Sequence, residues 1–237
     1  MSMRDSFRRV CKLVVLVMLG WWRLLFGGRE LRDAPSRDNQ HFDALDTVEC
    51  RLAVHEAGHA VAAWCCTMVT DVSITIEAKG GGGHVTWMMH GDGVDEMWHR
   101  LVIALAGAAA EAMIYKRSRP ENSSKYDFGR AHEYAETIGN APAPWSDPGG
   151  PTISFEKIYA SPPSPAVRKN LESAYRMARH VIRAHGRDFY RLVSLLLAHR
   201  TVKEHDVTRI LGHRAPIRLL APFGARFILP RRRKKAA

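Results

Sequence analysis

Apolar and polar positions change their spacing several times along the chain, and each change marks an element. Residues 13–22 (LVVLVMLGWW) form one apolar run behind basic residues, and residues 27–43 turn polar and turn-prone, as a linker does. A helix is predicted over 46–67. Asp46 stands where a cap belongs, Glu49 follows three residues on as in a capping box, and the interior is rich in Ala and apolar residues. Val72, Ile74 and Ile76 then alternate with polar residues, which predicts a half-buried strand over 71–77. Glycines 80–83 supply a turn, and residues 84–89 a second strand, giving a hairpin or small sheet.

A long helix is predicted over 95–116. Its middle, LAGAAAE at 105–111, consists almost wholly of small residues, so another backbone can approach closely, and the expected neighbour is the 46–67 helix. A polar stretch (RSRPENSSKY) leads to a helix from Asp127 to about residue 138, and residues 141–151 (APAPWSDPGGP) form a loop. Ser164-Pro165 opens a helix reaching about residue 185, with Pro in the first turn, where its missing N–H costs nothing. Residues 188–198 form the next helix, and Thr201 with Glu204 repeats the capping-box pattern and opens the last. No internal repeat is present. The fold class is mainly α with a small β-sheet (α+β), divided into an N-terminal segment and linker (1–45), one domain (46–212) and a basic C-terminal tail (213–237).

The chain's 237 residues suffice for one ordinary domain with tails, and 46% hydrophobic against 25% charged residues indicates a globular chain rather than a disordered one. The net charge of +11 is concentrated at the ends. Arg4, Arg8, Arg9, Lys12, Arg23, Arg29 and Arg32 are opposed near the start only by Asp5 and Glu30, and residues 231–235 read RRRKK. Such clusters attract anionic lipid or nucleic acid. No aromatic or Gly-rich recognition pattern accompanies the C-terminal run, so a solvated tail is the preferred reading and nucleic acid is not an expected partner. Cys11, Cys50, Cys65 and Cys66 form no CxxC pair, which excludes a disulfide framework and a cysteine-rich metal site and points to reduced thiols in a cytoplasmic setting. The 13–22 run falls short of the roughly 20 residues of a membrane span. Arg23 interrupts it, and no small-residue cleavage site follows. A helix lying in the membrane interface, with Trp21 and Trp22 at its boundary, and a helix packed on the domain stand as equal alternatives.

The central chemical feature is His55-Glu56-Ala57-Gly58-His59 (HEAGH, an HExxH pattern) inside the first predicted helix. Positions four apart share one helix face, so two imidazoles can grip one ion. Zinc takes imidazole nitrogen readily and in catalytic sites keeps one of its four positions for water, whose pKa it lowers toward neutrality. The expected roles are His55 and His59 as metal ligands and Glu56 as general base and then acid. An ordinary surface His pair would need no partner, but this helix is otherwise apolar, and a buried His pair with a Glu does need one. Gly58 costs about 1 kcal/mol of helix propensity relative to Ala, which predicts a close-packed neighbour. The longer HExxHxxGxxH pattern fails, since position 62 is Ala and position 65 is Cys. The third ligand is therefore sought among the carboxylates Asp92, Asp95, Glu96, Glu111 and Asp127, with His84, His90, His99 and His132 as further candidates.

HEAGHA, a strand, a Gly-containing turn, a second strand, LAGAAAE and then an Asp at a helix start together resemble the peptidase domain of the FtsH family of zinc metallopeptidases, over roughly residues 47–212. The resemblance implies an HExxH-helix zinc peptidase domain of FtsH type, with Zn2+ as cofactor and Asp127, in SKYDFGRA, as third ligand; Glu111 is the first substitute. It also implies that the strand containing Val85, Thr86 and Trp87 accepts an extended polypeptide substrate as an added strand. Members of the family carry an AAA ATPase module, whereas this sequence contains no GxxxxGK[ST] phosphate loop. The expected activity is therefore an ATP-independent zinc metalloendopeptidase acting on unfolded or flexible polypeptides. A homo-oligomer, a separate ATPase partner and a peripheral membrane contact through the N-terminal segment are further candidate partners. The competing reading is a catalytically silent FtsH-like adaptor that binds membrane or nucleic acid through its basic ends.

Overall fold

The structure, a computed structural model, describes residues 47–66, 69–76, 82–90, 93–115 and 125–212. The 13–22 run, the linker, Asp46, most of the glycine turn, Asp92, the polar stretch before Lys125 and the basic tail lie outside the described residues.

The chain runs α1 (Val48–Cys65), β1 (Val69–Ile76), β2 (Gly83–Met89), α2 (Gly93–Tyr115), α3 (Lys125–Ile138), a 3-10 turn (Phe155–Lys157), α4 (Pro165–Ala184), α5 (Gly186–His199), β3 (Thr201–Val202) and α6 (Glu204–Leu211). The expected mixture of many helices and one small sheet is what forms. Two local expectations are corrected. The N-cap of α1 is Thr47, whose hydroxyl accepts the Cys50 N–H at 3.2 Å. Glu49 does not close a capping box; it pairs with Arg200 at 2.7 Å. Thr201 does not cap α6, whose N-cap is Lys203 without a side-chain bond. Instead Thr201 and Val202 pair antiparallel with Thr75 and Ile74, adding a third strand.

The sheet order is β2-β1-β3 and all pairing is antiparallel, so β2 lies at an edge. The β1–β2 register pairs Ile74 with Val85 and Ile76 with Gly83, and is interrupted by a bulge between Thr70 and Ser73. Asp71 in that bulge takes a positive φ of 55°, which a short polar side chain tolerates better than most. Val69, Val72, Ile74 and Ile76 turn inward, while Thr70, Ser73 and Thr75 form hydroxyl contacts on the opposite face, as period-2 alternation requires.

α1 is buried on nearly every side, and this shapes the rest of the fold. It packs against α2 through small residues on both helices. A Cβ on Gly58 would stand 2.6 Å from the Ala106 carbonyl oxygen and 2.7 Å from the Ala110 Cβ. The sequence-based expectation of a tight neighbour at Gly58 therefore holds, and the neighbour is the LAGAAAE segment. α2 is 23 residues long and apolar enough by length and composition to cross a membrane. Its apolar surface is nevertheless largely spent inside the molecule, with Trp98, Leu101, Val102, Ile103 and Leu105 all buried. α4 begins at the Ser164 cap with Pro165 in its first turn, as its sequence predicts. Asn170 on α4 donates to the Gly139 carbonyl and to the Ala135 carbonyl, which also accepts the Gly139 N–H, and so ties α4 to the end of α3.

Candidate metal centre

α1 presents His55 and His59 one turn apart on a single face, both almost fully buried. Their rings meet edge-on with centroids 4.6 Å apart, and their Nε2 atoms are separated by 2.9 Å. Asp127, in the first turn of α3, brings Oδ2 to 2.9 Å from His55 Nε2 and 3.4 Å from His59 Nε2. Among the described residues these three form the group of His, Cys, Asp and Glu side chains close enough to hold a metal ion.

The outer ring nitrogens settle the tautomers. His59 Nδ1 lies 2.7 Å from the Ile103 carbonyl, which only accepts, so Nδ1 carries the proton and Nε2 presents a lone pair. His55 Nδ1 lies 2.5 Å from Glu111 Oε1 and donates to that carboxylate. Two imidazole lone pairs and a carboxylate oxygen thus converge on one point, and they repel one another unless a positive charge sits among them. A proton can supply it. Burial alone would depress the His55 pKa, but the Asp127 and Glu111 carboxylates more than reverse this and raise it to about 10. The same imidazoles hold the Asp127 carboxyl below its ordinary range despite its burial.

A divalent cation satisfies this donor set more completely. Two tetrahedral zinc ligands at the usual bond lengths stand roughly 3.3 Å apart, close to the separations above. The Nδ1–H to carboxylate and Nδ1–H to carbonyl bonds are the outer contacts that orient metal-ligating histidines. The residues present therefore fit zinc.

Two glycines shape the centre, and sequence reasoning did not single out either for this role. A Cβ on Gly107 of α2 would lie 2.5 Å from His55 Nε2 and 2.6 Å from His59 Nε2, so a side chain there would invade the space where the lone pairs meet. A Cβ on Gly83, the first residue of β2, would lie 2.6 Å from Glu56 Cγ and 2.7 Å from its Oε1. The start of the edge strand thus rests against the Glu56 side chain. Glu56 is buried, which pushes its carboxyl pKa up against the opposing pull of His59 and His55. A carboxylate of raised basicity next to the His pair suits proton transfer.

The other candidates fall elsewhere. Glu111 approaches His55 from the Nδ1 side, away from the convergence point. Asp95 is exposed, Glu96 pairs with Arg100 at 2.6 Å, and buried His99 bonds the Asp95 carbonyl. His84 is exposed, His90 contacts Thr70, and His132 lies against Tyr159 and Glu136. Val85 and Trp87 on β2 are half-buried against the core, and Thr86 on the opposite face bonds Ser73 at 2.6 Å. No strand among the described residues covers the outer edge of β2.

No protein-family model matches the chain. Individual proteins do. It is 24% identical over 194 residues to an ATP-dependent zinc metalloprotease FtsH of Corynebacterium glutamicum, covering 72% of this chain and 22% of that protein. It is 28% identical over 181 residues to the protein of the same name from Rhodococcus erythropolis, covering 68% and 21%. It is also 23% identical over 169 residues to the human ATP-dependent zinc metalloprotease YME1L1, covering 67% and 22%. The chain spans about a fifth of the length of these curated relatives. The similarities support a relationship to the FtsH family and, at that level, a function related to zinc metalloproteolysis.

Proposed function

We propose that this chain is a zinc metalloendopeptidase in which His55, His59 and Asp127 hold the metal and Glu56 moves the protons. The observation that carries the reading is the convergence of two Nε2 atoms and one carboxylate oxygen within 3.4 Å of one another, with the buried Glu56 carboxylate on the same helix. When bound, zinc supplies Lewis-acid activation of water and of the scissile carbonyl. Glu56 accepts a proton from the attacking water and returns it to the amine nitrogen as the C–N bond breaks, so the carboxylate is regenerated and one water is consumed per bond. Glu111 and the Ile103 carbonyl keep both imidazoles in the tautomer that aims Nε2 inward.

The uncovered edge of β2 is the proposed seat of the substrate. A polypeptide added antiparallel or parallel to Val85, Thr86 and Trp87 would pair through its backbone, which favours extended segments over particular side chains. Gly83 links that edge to Glu56, so a segment docked on β2 would pass beside the proton-transfer group. The substrates are accordingly unfolded or flexible polypeptides. With no phosphate loop in the sequence, hydrolysis by this chain is proposed to run without ATP, in the cytoplasmic setting that a sequence without a CxxC pair suits.

Incubating the full chain with casein tests the reading. Fragments are expected without nucleotide, their formation should stop on adding 1,10-phenanthroline, and stoichiometric zinc should restore it. Casein left intact by the zinc-loaded protein, or cleaved equally in chelator, would refute the assignment.

A further inference from the structure

We propose that Tyr159 is a positioning residue for the metal centre: its hydroxyl, on the segment just after the 3-10 turn, fixes the first turn of α3 and thereby the Asp127 carboxylate. The inference rests on reading His55, His59 and Asp127 as a zinc site.

The two histidines share a rigid buried helix, whereas Asp127 arrives from 72 residues beyond His55. Its placement depends on how the first turn of α3 is docked, because metal–ligand distances tolerate only about 0.2 Å of error. The residue next to Asp127 is Phe128, almost fully buried. The Tyr159 hydroxyl donates to the Phe128 carbonyl oxygen at 2.9 Å. A helical carbonyl has a second lone pair for such a donor, so the bond adds to the helix ladder instead of breaking it. Burial pushes the Tyr159 hydroxyl pKa above its ordinary value, so it stays protonated and donates across the neutral range.

The phenol is itself held from several sides. Phe155 stacks parallel to it with centroids 6.5 Å apart, Phe128 meets it edge-on at 6.4 Å, and the His132 ring, one turn further along α3, lies 4.8 Å away. Phe155 in turn packs edge-on against Phe128 at 6.3 Å and against Tyr175 of α4 at 6.2 Å. The segment around the 3-10 turn therefore bridges α3 to α4, and the Tyr159 hydrogen bond to α3 falls on the residue adjoining Asp127. The aromatic rings supply cohesion, and the hydroxyl supplies the register.

Tyr159→Phe in the full chain separates these two contributions, since it keeps the ring and removes only the hydroxyl. The zinc dissociation constant, measured by competition with a chromophoric chelator, is expected to rise about tenfold, the low end for outer partners of metal ligands. The visible absorption of the cobalt-substituted protein should change in intensity, reporting an altered ligand geometry. The thermal midpoint of the metal-free protein should move by less than about 3 °C, the scale of a 1 kcal/mol change in a domain of this size. Wild-type zinc affinity and an unchanged cobalt spectrum in Tyr159→Phe would overturn the positioning role. If Asp127→Ala still lost affinity beside that result, the zinc site would stand without the Tyr159 clamp. A wild-type chain that took up no zinc would overturn both.

Discussion

Replacing Glu56 with Gln is expected to lower peptide hydrolysis by about 100-fold to 10,000-fold, the usual contribution of a positioned general base and acid, while the zinc content stays at the wild-type level. The amide has the shape of the carboxylate and fits the same buried space beside Gly83. It cannot accept the water proton, and it has no acidic proton to give the departing amine. The histidines keep their tautomers, because Glu111 and the Ile103 carbonyl fix them and Glu56 bonds to neither Nδ1. Activity and metal load should therefore part company in this variant. Measuring initial rates of casein hydrolysis beside zinc content by mass spectrometry checks both, and a Glu56→Gln protein with near wild-type rates would remove this residue from the chemistry.

Gly107→Ala should have an effect of similar size by a different route. Its methyl carbon would be placed 2.5 Å from His55 Nε2 and 2.6 Å from His59 Nε2, where ordinary carbon contacts need about 3.5 Å. Relief requires movement of roughly 1 Å by two rings that are almost fully buried, on a helix itself buried on nearly every side. Such a shift is several times what metal–ligand bonds accept. Zinc affinity is expected to drop by about 100-fold or more, and activity with it. The protein should remain folded, because the clash involves two side-chain rings and not the α1–α2 backbone contact. Circular dichroism close to wild type together with lost zinc uptake in a chelator titration is the predicted pair of results. Undiminished zinc affinity would mean that Gly107 does not border the metal.

Much of this arrangement was readable from residue order, and the failures have physical causes. The long helices announce themselves because apolar residues and punctuators agree locally: Ser164 with Pro165, or the alternation of Val72, Ile74 and Ile76, depends on nothing distant. Residue order puts the cap of α1 one residue early because Asp46 and Thr47 are both good N-cap residues, and only backbone geometry chooses between neighbours. Thr201 and Val202 do not announce a strand, because two residues carry no periodicity and their partners, Thr75 and Ile74, lie far back in the sequence.

The site divides in the same way. The pairing of His55 with His59 is fixed by helical spacing alone. The approach of Asp127 is not, since it depends on the docking of α3 against α1, and resemblance to a family supplied what spacing could not. Glu111 is a candidate ligand by sequence because a carboxylate on the neighbouring helix has the right chemistry; only the geometry reveals that it reaches Nδ1 and not Nε2. Gly107 lay hidden inside a run of small residues that looked like uniform packing, with no local sign of which one faces the imidazoles. Tyr159 follows a Pro- and Gly-rich loop without any pattern, and its hydrogen bond to Phe128 spans 31 residues.

Metal stoichiometry tests the central claim most directly. The purified full chain, equilibrated with excess zinc and freed of loosely bound ions, should contain about one zinc ion per chain by inductively coupled plasma mass spectrometry. His55→Ala, His59→Ala and Asp127→Ala should each contain far less under the same conditions. A wild-type chain free of zinc, or single variants that retain as much as wild type, would contradict the account.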